Sequence, residues 1–228
     1  MGLGDYPGAT LIKILEDKYK VKFIFLDMGP KGSAASCIDN FGTCILINSR
    51  EAAWRQNFSI AHELFHIVTW SLSLLNEIND EQLWEYNEKI ANAFAATLLL
   101  PSEVLHREIN KTSKDSKFTK ASLIVLARQF DVSLESLLWR MKFLNFLKEE
   151  IVKDILDDSQ IRELDKESVK SKEITHYTVS ERFIRLAYLA YSNSNISKHR
   201  LAEILNVNLP DLPEAMAQHG FNEILLRN

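Results

Sequence analysis

The sequence predicts an α+β fold: a small, at least partly antiparallel sheet, a long amphipathic helix after it, and a mostly helical C-terminal domain. Three observations carry this expectation. Short β-branched and apolar runs between residues 21 and 48 are separated by turn residues. From Ala52 onward apolar residues recur every three or four positions. A stretch dense in charge, 148–173, interrupts that periodicity before it resumes near Ser180.

The elements come in this order. Leu11, Ile14, Leu15 and Tyr19 lie at helical spacing and predict a short helix over 9–20. Val21–Leu26, Ser33–Ile38 and Thr43–Asn48 read as three strands, broken by Gly29-Pro30 and by Asp39-Asn40 with Gly42. Trp54, Phe58, Ala61, Leu64, Phe65 and Val68 place one face of a helix over 52–70 in a core. A second helix fits Glu81 to Leu100, stopped by Pro101. Residues 119–146 read as two more helices joined at Asp131-Val132-Ser133, with Ser133 as the cap of the second.

Between Lys148 and Glu173, 15 of 26 residues are charged, which predicts a solvated helix or linker. The expected organisation is therefore a domain over 1–147, a charged linker or helix over 148–175 and a small helical domain over 176–228.

Composition narrows the function classes. The chain has 228 residues, of which 46% are hydrophobic and 25% charged, as in an ordinary globular protein. The longest apolar run, Leu186 to Tyr191, is far short of the roughly 18 residues that span a bilayer. The N-terminus has no basic region before an apolar stretch, so a cytoplasmic chain is expected. A net charge of −4 supplies no general attraction to phosphate backbones. Segments 120–141 and 197–212 have helix-turn-helix spacing, but their second helices carry few cations, so direct nucleic-acid binding is not expected. Cys37 and Cys44 flank a turn and are expected to face one another as reduced thiols.

The chemistry concentrates in His62-Glu63-Leu64-Phe65-His66, an HExxH motif inside a predicted helix. Residues four apart stack one turn apart on one face, so both imidazoles reach one metal ion and Glu63 sits beside it. Two histidine ligands leave a zinc ion open to water, and a neighbouring carboxylate can take that water's proton. A third protein ligand is usual in such sites. Glu88 is the candidate on the next helix, with Asn92 one turn later to orient a ligand. Glu81, Glu85 and Glu103 compete on carboxylate chemistry alone. The small residues Ala91, Ala93, Ala95 and Ala96 favour Glu88, because they let two helices approach closely enough to share an ion.

The run Arg55 to His66, followed by Glu88-Lys89-Ile90-Ala91-Asn92-Ala93-Phe94-Ala95-Ala96 and Leu98-Leu99-Leu100-Pro101, closely resembles the ImmA/IrrE family of zinc metallopeptidases. The resemblance covers about residues 6–142. It implies a zincin-like domain with an active-site helix, His62, His66 and Glu88 as gluzincin-like zinc ligands, and Glu63 as general base. It also implies that Gly32-Ser33-Ala34 belong to an active-site edge strand, on which an extended substrate would pair as an added strand. Tyr86 and His106 are candidates to stabilise the oxyanion. Phe65 stands where many relatives carry Gly, and its ring is expected to narrow the cleft.

By this resemblance the chain is a zinc-dependent endopeptidase that cleaves a regulatory protein, an XRE-type transcriptional repressor. A second function class keeps the zinc without proteolysis, as the sensory domain of a transcriptional regulator.

Overall fold

Residues 1–30, 32–69, 81–112, 118–171 and 179–221 are described by the structure, a computed structural model. A single 3-10 turn at Pro7–Ala9 leads into helix α1 (Leu11–Tyr19), which buries Leu11 and Leu15. Lys20, in the left-handed conformation at φ 60°, ends α1 and turns the chain into the sheet.

Strands β1 (Lys22–Leu26), β2 (Ala34–Asp39) and β3 (Gly42–Asn48) form one sheet in the order β1-β3-β2. β2 and β3 make an antiparallel hairpin, whereas β1 runs parallel to β3, so the sheet is mixed. The hairpin tip is set by Asp39, whose carboxylate accepts from the Phe41 N–H at 2.8 Å, and by Gly42 at φ 99°. Side chains alternate along a strand. Ser36 therefore shares a face with its partner Ile45, which is fully buried, while Cys37 and Cys44 oppose each other on the other face as free thiols. Burial, and then its neighbour Cys37, pushes the Cys44 thiol up from its ordinary value.

Asn48 ties the sheet to the helix after it. It is 3% exposed, and its amide donates to the carbonyls of Gly29 and Gly32 at 2.7 Å each. Its own backbone carbonyl accepts from buried Gln56 Nε2 at 3.0 Å. This knot fixes the segment leading into β2 against the start of helix α2 (Ala53–Thr69). Ile60, Ala61 and Leu64 of α2 enter the core with Phe23, Ile45 and Ile47 of the sheet. Helix α3 (Glu81–Leu99) packs on α2, with Ala91 and Ala95 fully buried.

Helix α4 (Ser102–Thr112) begins directly after Pro101 and is absent from the sequence expectation. Its apolar residues are few, and Val104, Leu105 and Ile109 are buried between charged neighbours. Glu108 is buried beside them at 5% exposure. Lys111 first, then Gln129 and Arg107, bond its carboxylate and hold its pKa down to about 2. A depressed carboxyl pKa stabilises the fold above the unfolded value near 4.5, and the contribution fades as pH falls toward about 2. Glu108→Gln is accordingly expected to lower urea stability at pH 7. The difference from wild type should vanish as the urea titrations approach pH 2.

Helices α5 (Lys120–Gln129) and α6 (Leu134–Phe143) come next, with Thr119 capping the first by a reciprocal pair of bonds to Ser122. Ser133 caps α6 by accepting from the Ser136 N–H. The described part of the charged stretch, expected as a solvated helix or linker, forms helices α7 (Glu149–Asp157) and α8 (Ser159–Ser171). Val152 and Ile161 are buried in the same core as α2 and α3, with Ile155 and Leu156 packed against it. A high average charge conceals these few apolar positions, which are too sparse to form a full helical stripe along both helices. Ion pairs from Lys120 to Asp158 and from Arg128 to Asp165 fasten α8 and its start to α5.

The contacts divide the chain into units Met1–His176 and Tyr177–Asn228. In the second unit, helices α9 (Glu181–Ser192), α10 (Lys198–Leu205) and α11 (Leu212–Gln218) enclose a small core of Ile184, Tyr188, Leu201, Leu205, Leu212 and Met216. Ser180 and Ser197 cap the first two of these helices. Among the described residues, no helix is long and apolar enough to cross a membrane.

Candidate metal centre

His62 and His66 stand one turn apart on α2, as the helical repeat requires. Their Nε2 atoms lie 3.1 Å apart. Glu88 comes from α3, where the close approach allowed by Ala91 and Ala95 brings its carboxylate to both rings. Oε2 is 3.2 Å from His62 Nε2, and Oε1 is 3.3 Å from His66 Nε2. Two ring nitrogens and a carboxylate therefore converge on one point.

The donor set and spacing fit a tetrahedral zinc ion. Bonds of about 2.0–2.1 Å at tetrahedral angles hold ligand atoms about 3.3 Å apart, the separation seen here. Among the described residues, His62, His66 and Glu88 form the one group of three or more such donors able to hold a metal ion.

Surrounding groups fix the donors. Asn92 Oδ1 lies 3.0 Å from His62 Nδ1, so Nδ1 carries the proton and Nε2 is left as the free donor. The indole of Trp84 stacks on the His66 ring, with centroids 6.5 Å apart and planes 6° from parallel. Phe65 is turned toward α3: its ring packs on Phe94 at 5.7 Å and edge-on to His66 at 5.6 Å. Its bulk braces the helix pair and the second histidine.

Glu63 follows His62 on α2 and makes no bond to the three donors among the described contacts; its Oε2 accepts from Ser36 Oγ of β2 at 2.6 Å. The other carboxylates considered stand apart. Glu85 pairs with Lys89 at 3.9 Å on the exposed side of α3, and Glu103 is exposed on α4. The Glu81 side chain lies outside the described residues. His106 packs on Phe146 with centroids 4.5 Å apart. Tyr86 is 60% exposed and, two residues from Glu88, lies on nearly the opposite side of α3. Neither is brought to the site. Ser36 and Trp84 are the neighbours that sequence reasoning missed. Strand alternation is the one signal that could have pointed Ser36 inward, and the i, i+4 spacing to Glu88 could have singled out Trp84.

A cavity of about 630 Å³ adjoins the site through Asn92, lined also by Trp54, Phe58, Trp139, Arg140 and Phe143. Arg140 is 7% exposed and donates through Nε to the Leu100 carbonyl at the C-terminal end of α3. Burial holds its guanidinium below the ordinary value.

The model of the IrrE N-terminal-like domain, a peptidase family, matches residues 16–142, more than half of the chain. The chain belongs to the ImmA/IrrE family. Two relatives are named radiation response metalloprotease IrrE. The one from Deinococcus deserti is 30% identical over 140 residues, covering 59% of this chain and 47% of the relative. The one from Deinococcus radiodurans is 32% identical over 140 residues, covering 59% of this chain and 40% of the relative. The chain thus spans less than half the length of these two family members. Among solved structures, a Mycobacterium tuberculosis transcriptional regulator aligns with 18% identity and a TM-score of 0.46, over 61% of this chain and 41% of that one. The matching model is that of a peptidase family, and both relatives are named metalloproteases.

Proposed function

We propose that the chain is a zinc-dependent endopeptidase that cuts a regulatory protein, with an XRE-type transcriptional repressor as its substrate and His62, His66 and Glu88 as its zinc ligands. The single observation that carries this reading is the convergence of two imidazole nitrogens and the two oxygens of one carboxylate at 3.1–3.3 Å, with Glu63 directly following the first histidine on its helix. When bound there, zinc supplies a Lewis acid that polarises the scissile carbonyl and makes water acidic enough to deprotonate near neutral pH.

The chain's own residues do the rest. β2 is an edge of the sheet, and its backbone can pair with an extended peptide so that the peptide lies across α2. Glu63 takes a proton from the attacking water and returns it to the leaving amine as the C–N bond breaks. Asn92 keeps the His62 ring in the orientation and tautomer that present Nε2. The aromatic-lined cavity beside Asn92 receives an apolar side chain of the substrate.

The names of the two Deinococcus proteins support a role in a stress response. The test is co-expression with the XRE-type repressor encoded nearest to the chain's gene, followed by intact-mass measurement of the repressor before and after stress. One discrete cut that depends on this chain is expected. A repressor that stays whole under every stress applied contradicts the proposed substrate.

A further inference from the structure

The Ser36 hydroxyl makes the one hydrogen bond that the Glu63 carboxylate forms among the described contacts, and it comes from a different element. Ser36 lies on β2, 27 residues before Glu63, at a register position opposite the fully buried Ile45. Alternation along β2 sends Ser36 to the face that packs on α2 and sends Cys37 away from it. At 2.6 Å the contact is a charge-assisted O–H···O⁻ bond, among the stronger side-chain hydrogen bonds.

From this geometry we infer that Ser36 is a positioning residue for the general base. It holds Oε2 of Glu63 and leaves Oε1 as the oxygen that takes the proton, and it couples that carboxylate to the strand on which the substrate docks. A glutamate side chain with no such anchor rotates freely about three bonds, and a base must lie within hydrogen-bond reach of its proton before its basicity matters. A peptide that pairs with β2 immobilises the strand carrying Ser36 and so steadies the base at the moment of attack. This inference rests on the proposed role of Glu63, and it predicts an effect on turnover rather than on substrate binding or metal content.

The test compares wild type, Ser36→Ala, Ser36→Thr, Glu63→Gln and the Ser36→Ala/Glu63→Gln double variant, each loaded with zinc. Ser36→Ala is expected to lower kcat roughly tenfold or more, the scale set by losing a hydrogen bond to a charged group, with KM and zinc content unchanged. Ser36→Thr, which keeps the hydroxyl, should restore kcat, and Ser36→Ala should add nothing in the Glu63→Gln background. Wild-type kcat in Ser36→Ala, or a Ser36→Thr variant as impaired as Ser36→Ala, overturns the assignment.

Crystal structures of the same variants read the contact without any substrate. They should show one Glu63 conformer in wild type and Ser36→Thr, and more than one in Ser36→Ala. If no variant, wild type included, cleaves the repressor, the proposed function fails by itself. A Glu63 side chain that stays fixed in Ser36→Ala overturns the positioning role in either case.

Discussion

Glu63→Gln is expected to leave the chain folded and loaded with metal while reducing proteolysis about 10²–10⁴-fold, the usual contribution of a positioned general base. The substitution is nearly isosteric, and the amide can still occupy the place beside Ser36. An amide does not accept the water's proton at neutral pH, so the attacking group stays a weak nucleophile. Because Glu63 is the residue after His62, it is rotated about 100° around α2 from the first histidine and is not one of the three converging donors. Metal content should therefore be independent of the change. Repressor cleavage assays with both proteins, read by intact mass beside elemental analysis, decide the matter. Equal cleavage by the two would remove Glu63 from the chemistry. Loss of metal from Glu63→Gln would make Glu63 a ligand instead of a base.

The second large effect concerns the donors themselves. Replacing His62 and His66 together by Ala, or Glu88 by Ala, removes donors that no other group of described residues can replace. Stoichiometric zinc should be lost on dialysis, and cleavage with it. Asn92→Ala removes only the partner of His62 Nδ1 and should weaken zinc binding about 10–100-fold while leaving the three donors in place. Competition with a chelator of known affinity measures both effects. Zinc retained unchanged in the His62→Ala/His66→Ala protein would move the site elsewhere, and release by Glu85→Ala alone would move the third ligand to Glu85.

The parts of this site that were legible in the sequence are those that one helix encodes by itself. A spacing of four residues inside an amphipathic repeat places His62 and His66 on one face whatever the rest of the chain does. Glu88 required more, because which glutamate of α3 meets α2 depends on how α3 is rotated. Four carboxylates qualified by chemistry, and only the alanines around Glu88 marked the contacting face. Ser36 required knowledge of strand register and of which sheet face meets α2, and a one-residue slip would have turned it to the opposite side.

The same limit explains the fold. The hairpin was readable from Asp39 and Gly42, whereas the parallel pairing of β1 with β3 has no local signature. In the charged stretch a helix was one of the two expected forms, but its packing was masked by the charge, since Val152 and Ile161 say little until there is a core for them to enter.

The central claim is that two imidazoles and one carboxylate, supplied by α2 and α3, hold a zinc ion open to water. X-ray absorption at the zinc edge of the zinc-loaded protein tests it most directly, because it reports the ligand atoms themselves. The account predicts a first shell of nitrogen and oxygen only, near 2.0–2.1 Å, with the scattering signature of two imidazole rings that disappears in the His62→Ala/His66→Ala protein. A sulfur shell near 2.3 Å would place the metal on Cys37 and Cys44, and a shell with a single imidazole would break the pairing of His62 with His66; either result contradicts the account.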